Sequence, residues 1–199
     1  ILGVEIVLMD GTICQLGGKV LDQEGYDMLG LICGSEGLLG VITEVTVKIL
    51  KKPQTVKAAL IGFPTHEDGG NCVSEIIASG IIPAGMEIMD RALILATDNF
   101  SKAGYPRDVE LLLIVELDGT ISEVDELINK VSEISKKNNS STIKISQNEK
   151  ERLSFWIGRK AAFPACGAMA PDYYCMGGSI PRGKLAEALK EISKLSKKY

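Results

Sequence analysis

A chain of 199 residues can bury one sizeable core or two small ones, and 45% apolar with 24% charged residues is the make-up of an ordinary globular protein. A net charge of -4 leaves no basic surplus for phosphates, which argues against a nucleic-acid partner, and no apolar run is long enough for a membrane span. The five cysteines (Cys14, Cys33, Cys72, Cys166, Cys175) are scattered without a C-x-x-C pair, so neither a disulfide framework nor a zinc site is indicated. They read as reduced, partly buried small hydrophobes of a cytosolic protein.

Ile1 to Leu16 is predicted to form a hairpin: Leu2, Val4, Ile6 and Leu8 alternate with their neighbours, Asp10-Gly11 supplies the turn, and Gly17-Gly18 closes it. Tyr26 to Cys33 is a short apolar segment, about one or two helical turns. It leads into Gly34-Ser35-Glu36-Gly37-Leu38-Leu39-Gly40-Val41-Ile42-Thr43. Such a glycine-spaced loop can aim successive N–H groups at an anion or let a flat ligand lie on the main chain. A tight turn between packed elements is the other reading. The spacing is not the dinucleotide fingerprint, and no Lys-Ser/Thr pair makes it a P-loop. Val45, Val47 and Ile49 then alternate with Glu44, Thr46 and Lys48, which predicts a half-buried strand, and Lys51-Lys52-Pro53 marks a domain boundary.

Beyond the boundary, strands and helices alternate. Val56 to Phe63 reads as a strand; Thr65 can cap a helix with Asp68 as its partner, burying Cys72, Val73, Ile76 and Ile77. Gly69-Gly70 inside that helix should cost on the order of 2 kcal/mol against alanines and fray its first turns. Ala84 to Met89 is a short strand, and Asp90 caps a helix through Phe100. Val109 to Leu117 is almost unbroken apolar, hence a central strand. Ile121, Val124, Leu127, Ile128, Val131 and Ile134 share a helical face behind Thr120 or Ser122. A short strand over Thr142 to Ser146, a helix over Glu149 to Phe163 with the lone Trp156, and an extended Tyr173 to Cys175 follow. Pro181 opens a last helix burying Leu185, Leu189, Ile192 and Leu195 and running to Tyr199. The basic residues of the last third, Lys136-Lys137 and Lys190 to Lys198, read as a solvated face. Two strand–helix–strand units with helices on one face make the ferredoxin-like arrangement. A chain that starts in a strand without methionine and stops in a helix reads as a piece of a longer protein.

The run Gly17-Gly18-Lys19, Gly25-Tyr26-Asp27-Met28-Leu29-Gly30-Leu31 and Gly34 to Glu44 resembles the second half of an FAD-binding domain in the FAD-linked oxidases typified by vanillyl-alcohol oxidase. Within that family it is similar to the branch that holds the catalytic subunit of glycolate oxidase and the FAD-dependent D-lactate and D-2-hydroxyglutarate dehydrogenases. Pro83-Ala84-x-Met86-Glu87-x-Met89-Asp90-Arg91, Val115 to Gly119, Gly158-Arg159-Lys160-Ala161-Ala162-Phe163 and Pro171-Asp172-Tyr173-Tyr174 through Ile180-Pro181-Arg182 carry the resemblance across nearly the whole chain. It implies an α+β fold. Residues 1–52 would be the C-terminal part of the FAD-binding domain, with antiparallel strands. Residues 53–199 would be a ferredoxin-like cap domain.

The resemblance implies a flavin-dependent oxidation of a small 2-hydroxy acid, glycolate or D-lactate, to the 2-oxo acid, with hydride passing to FAD. Gly34, Ser35, Gly37, Gly40, Val41 and Ile42 would lie along the FAD. Arg159 would grip the substrate carboxylate, a task suited to a forked, always-charged donor. Its other reading is a surface charge beside Lys160. Tyr173 and Tyr174 are pocket-lining or packing residues. Glu36 reads as a loop-stabilising acceptor, and His66 as a surface histidine near a cap, not a base. The base implied by the family would lie beyond Tyr199, and no metal ligand is assigned within the chain.

The resemblance has gaps. The first flavin subdomain is absent, so the piece alone would hold FAD poorly and be inactive. Met176-Gly177-Gly178 stands where an Asp-Gly is usual, and Phe163 with Cys175 replaces polar or basic residues, which suits a small acid. The family also implies electron-accepting partner subunits, iron–sulfur or flavin, and a cytoplasmic place or a peripheral one at the inner membrane through them. A non-catalytic flavin-binding or assembly subunit is the alternative.

Overall fold

The computed structural model describes residues 1–20 and 25–198; Tyr199, assigned above to the end of the last helix, lies outside them. The chain divides into two compact units, Ile1–Lys52 and Pro53–Tyr199, the break falling at the Lys-Lys-Pro sequence.

In the first unit, β1 (Gly3–Val7) and β2 (Ile13–Gly17) form the hairpin, with Gly11 at φ 84 in its turn. Asp10 closes the turn by accepting from the Thr12 amide at 2.9 Å. Helix α1 (Met28–Ile32) is capped by Asp27, whose Oδ1 accepts from Gly30 N at 2.8 Å. Its Leu29 and Ile32 pack with Val4 and Ile6 as a small core. Strand β3 (Val41–Thr46) adds antiparallel to β1, giving the order β2-β1-β3. The half-buried strand expected over Val45, Val47 and Ile49 is corrected: every residue of β3 is exposed, and Val47 and Ile49 follow its end at 53% and 85% exposure. The alternation is present, but no described residue of this unit covers the face it marks.

The second unit is built on β4 (Thr55–Phe63), β5 (Gly85–Asp90), β6 (Leu111–Gly119) and β7 (Thr142–Ile145), in the order β5-β6-β4-β7 with every pairing antiparallel. With helices α2 (His66–Ala78) and α4 (Ile121–Lys137) as crossovers this is the ferredoxin-like order. Both caps form. Thr65 Oγ1 accepts from Asp68 N at 3.0 Å, and Thr120 with Glu123 completes a capping box.

Placing the helices on one face is corrected. Leu111, Leu113, Val115 and Leu117 of β6 point into a core with α2 and α4. Leu112 and Ile114 point the other way, into a second core with Ile94 of α3 (Arg91–Ser101) and with Phe155 and Trp156 of α5 (Glu149–Lys160). An unbroken apolar strand needs cover on both sides, and each such buried side chain contributes roughly 1.5–3 kcal/mol. The single helix expected over Glu149 to Phe163 is two, since α6 (Ala162–Met169) starts after a break at Ala161. Residues 173–175 take no regular structure. After a short 3-10 turn at Arg182–Lys184, α7 (Leu185–Lys198) packs Leu185 and Leu189 on the first core, whereas Ile192 and Leu195, expected inside, are 61% and 54% exposed.

The glycine pair of α2 earns a different reading from fraying. Gly69 and Gly70 are buried, and a Cβ on Gly70 would stand 2.7 Å from Cα of Ala186 in α7. One on Gly69 would stand 2.5 Å from Leu111 Cδ2. The helix forgoes its intrinsic preference so that a strand and a helix can approach its backbone. Gly70→Ala is therefore expected to lower stability by about 1–3 kcal/mol in urea unfolding, although alanine is the better helix former; an unchanged or raised midpoint would contradict this packing.

Candidate functional site

In the first unit, the stretch from Gly34 to Gly40 is a double turn. Ser35 N donates to Ile32 O and Leu38 N to Ser35 O, both at 3.0 Å. The N–H groups of Gly34, Glu36, Gly37 and Leu39 make no hydrogen bond among the described residues. Gly34 (φ 94) and Gly37 (φ 78) occupy the left-handed region, and an added Cβ on either meets nothing within 4 Å. Glu36 shares that region at φ 52 and has no side-chain partner among the described residues, so the stabilising-acceptor role expected of it is not seen.

Gly40 differs. Its Cβ would meet Val7 O at 2.7 Å and the Ile6 side chain, so it is small because it crosses β1. Val41 and Ile42 lie at the start of β3, opposite Val7 and Ile6, and among the described residues β3 has a partner on one edge only, so alternate main-chain groups of the strand face outward. Open amides at Gly34 and Gly37 beside an unpaired strand edge suit a ligand that lies against the main chain. A cleft of about 390 Å³ on this unit is lined by Ile1, Leu2, Gly25, Tyr26, Asp27, Leu29, Gly30 and Cys33, not by the loop's glycines.

In the second unit the chemistry centres on α5. Arg152, Trp156 and Arg159 lie four and three residues apart, hence on one stripe. The same face of the sheet offers two carboxylates. Glu116 Oε2 accepts from Arg152 at 2.5 Å and from Trp156 Nε1 at 2.7 Å, while Arg152 also holds Glu149 with two bonds of 2.7 Å. These hydrogen bonds push the Arg152 pKa further up, Glu149 first. Glu87 Oε2 accepts from Arg159 Nε at 3.1 Å.

Tyr105 reaches α5 from the loop after α3. Its hydroxyl donates to Phe155 O at 2.6 Å and accepts from Arg159 N at 3.1 Å. The ring can sit there because residue 158 is glycine; a Cβ would overlap it. The loop carrying Tyr105 is fixed by Asp98, which is 8% exposed and accepts from Gly104 N and Tyr105 N and from Arg107.

Arg159 thus stands in the last turn of α5, with its side chain 33% exposed. It is neither buried nor unpaired. Its Nε is occupied by Glu87, whereas the terminal nitrogens make no hydrogen bond among the described residues. Tyr173 packs its ring on Phe163, centroids 6.3 Å apart, Tyr174 is 87% exposed, and no hydrogen bond or ring contact among the described residues joins either to Arg159. Met176 and Cys175 are exposed. His66 is the first residue of α2, at a shallow cleft of about 220 Å³ with Asp90, Arg91 and Glu110. Among the cysteines, Cys72 is fully buried beside Ser135 and burial pushes its thiol up to about 11; Cys33 and Cys175 are exposed, not buried. Among the described residues no group of His, Cys, Asp and Glu could hold a metal, and no helix is long and apolar enough to cross a membrane.

Glu87, Glu116, Arg152 and Tyr105 carry this arrangement, and sequence reasoning gave none of them a role. Glu87 was within reach: an acid between the apolar Met86 and Ile88 of a predicted strand marks a carboxylate set on one face of the sheet.

The family model for the C-terminal domain of FAD linked oxidases matches residues 52–199. The chain belongs to that family. It is 47% identical over 199 residues to glycolate oxidase subunit GlcD of Escherichia coli K12, covering all of this chain and 40% of that protein. It is 31% identical to the mitochondrial D-lactate dehydrogenase [cytochrome] of Arabidopsis thaliana over 98% of this chain and 34% of that one. The chain thus spans well under half the length of these relatives. Among solved structures, an alkyldihydroxyacetonephosphate synthase superposes on 99% of the chain with a TM-score of 0.63 at 19% identity, a likeness of fold alone.

Burial, more than any other influence, raises the Tyr105 pKa, and the Asp98 charge adds to it; hydrogen bonds from Arg159 and Gly158 oppose. The unfolded chain loses this proton near the ordinary value of about 10, before the folded one does. The associated stability is therefore present below that pH and is lost as pH rises through the folded-state pKa. Tyr105→Phe is expected to cost about 1–2 kcal/mol at pH 8 through loss of the hydroxyl's bonds to the Phe155 carbonyl and the Arg159 amide. It should also show a smaller further loss than the parent between pH 9 and 11 in urea titrations; equal alkaline losses would remove Tyr105 as their source.

Proposed function

We propose that this chain serves a flavin-dependent oxidoreductase that converts a small 2-hydroxy acid, glycolate or D-lactate, to its 2-oxo acid. The observation that carries the reading is the half-occupied guanidinium of Arg159. Nε is held by a strand carboxylate, and the two terminal nitrogens keep their N–H groups free for a substrate carboxylate. Arg159 is placed by helix α5, and α5 by the Glu116–Arg152–Trp156 cluster, so the fork is presented from a rigid element.

Residues 1–52 are in this reading the second half of the FAD-binding domain, and residues 53–199 the cap. The open amides of Gly34 and Gly37, with Ser35 and the outward edge of β3 at Val41 and Ile42, would hold FAD by main-chain contact. Gly40 shapes the loop by its crossing of β1. When bound, FAD supplies the acceptor for the C2 hydride. The chain's own residues orient the acid and cradle the nucleotide. We assign the hydroxyl proton to no residue of this chain. Electron-accepting partner subunits, iron–sulfur or flavin, and a cytoplasmic or peripheral inner-membrane location belong to the same proposal.

Two measurements on the full-length protein test it. Arg159→Ala should raise the KM for glycolate and D-lactate by about 100-fold, the scale expected for losing a charge-assisted pair, while bound flavin stays stoichiometric. Unaltered turnover of every 2-hydroxy acid would remove Arg159 from the substrate site. Gly37→Ala should weaken FAD binding about tenfold or more, as left-handed strain of about 1–2 kcal/mol is placed under the cofactor. Gly11→Ala imposes similar strain at φ 84 in the hairpin turn and should leave FAD affinity alone; equal effects of the two would refute the cradle.

A further inference from the structure

A guanidinium can take a carboxylate in two-pronged fashion along its side edge, through Nε and one terminal nitrogen, or along its end, through both terminal nitrogens. In Arg159 the side edge is already taken, because Nε donates to Glu87 Oε2 at 3.1 Å. Glu87 makes no other hydrogen bond among the described residues. It stands on β5 opposite Ile114 of the central strand, so its carboxylate starts from a backbone held by the sheet. Arg159's own backbone is pinned separately, its amide donating to the Tyr105 hydroxyl.

The neighbouring Glu116–Arg152 pair is of another kind. Those side chains are 18% and 16% exposed and join α5 to the sheet with Trp156, which explains them structurally. Glu87 and Arg159 are 42% and 33% exposed, and so open a pair contributes little to stability. A weakly stabilising acid aimed at one particular nitrogen of a substrate-facing arginine fits a different task.

We infer that Glu87 is the positioning residue for Arg159: by occupying Nε it turns the end edge of the guanidinium toward the substrate carboxylate. The inference rests on the assignment of Arg159 to the carboxylate. Without Glu87 the two edges compete, and the long side chain regains rotamers in which neither fork meets the acid. Glu87 touches neither substrate nor cofactor in this scheme and transfers no proton.

The test uses the full-length, flavin-loaded protein in four forms besides the parent: Arg159→Ala, Glu87→Ala, Glu87→Gln and the double alanine variant. Glu87→Ala should raise the KM for glycolate and D-lactate about 10- to 100-fold, the scale of a misplaced binding group, with kcat altered less than about threefold. Glu87→Gln keeps an oxygen acceptor in place and should recover most of that loss. In the Arg159→Ala background, Glu87→Ala should add nothing, because its effect passes through the guanidinium. The thermal midpoint should stay with the parent's throughout. If Arg159→Ala raises KM and Glu87→Ala does not, or if the Glu87→Ala penalty persists in full without Arg159, the positioning role is wrong while the substrate assignment stands. If Arg159→Ala has no effect, the substrate assignment itself fails and this inference goes with it.

Discussion

Over Leu111 to Val115, strand β6 has no face that can meet water. Five consecutive residues, Leu111 to Val115, are buried within about one per cent, and in a strand their side chains alternate between opposite sides of the sheet. The second unit must therefore be a three-layer object. Helices α2 and α4 cover one face in the usual crossover manner. Helices α3 and α5 are recruited to the other, and with α5 comes Arg159, the residue proposed here for the substrate carboxylate.

The second face is also where polar groups enter the interior, and each is matched. Glu116 takes Arg152 and Trp156, Asp98 takes two loop amides and Arg107, and the Tyr105 hydroxyl bridges the end of α5. Such groups are costly when unpaired and directional when paired, so they fix α5 in rotation and register more sharply than apolar packing could. Arg159 then differs from its neighbours in being only partly satisfied. That contrast within a single helix stripe supports reading it as a binding residue.

In the first unit the glycines divide by task. Gly40, at φ 150, lacks both the room and the backbone angle for a side chain, whereas Gly34 and Gly37 have ample room and only their backbone angles exclude one. The first is explained by packing inside the unit. The other two leave amides without a partner among the described residues, which suits the main-chain contact with FAD proposed above. Spacing alone could not separate these cases, since all three glycines look alike in sequence. The fully exposed β3 is similar: Val45, Val47 and Ile49 announce an apolar side without saying what covers it.

The sequence by itself determined much of this protein: the caps at Thr65 and Asp90, the alternation of strands and helices, the centrality of β6, and membership in the FAD-linked oxidases through motifs spread along the chain. These are local or compositional signals, governed by residues a few positions apart. It also singled out Arg159 as the candidate cation. Only the tertiary structure decided that helices cover both faces, that Gly69 and Gly70 admit Leu111 and Ala186, and that Glu87, 72 positions away, holds Arg159 by one nitrogen. Contacts of that span depend on strand register and on the rotation of a helix above a sheet, and no periodicity within either segment encodes the pairing between them.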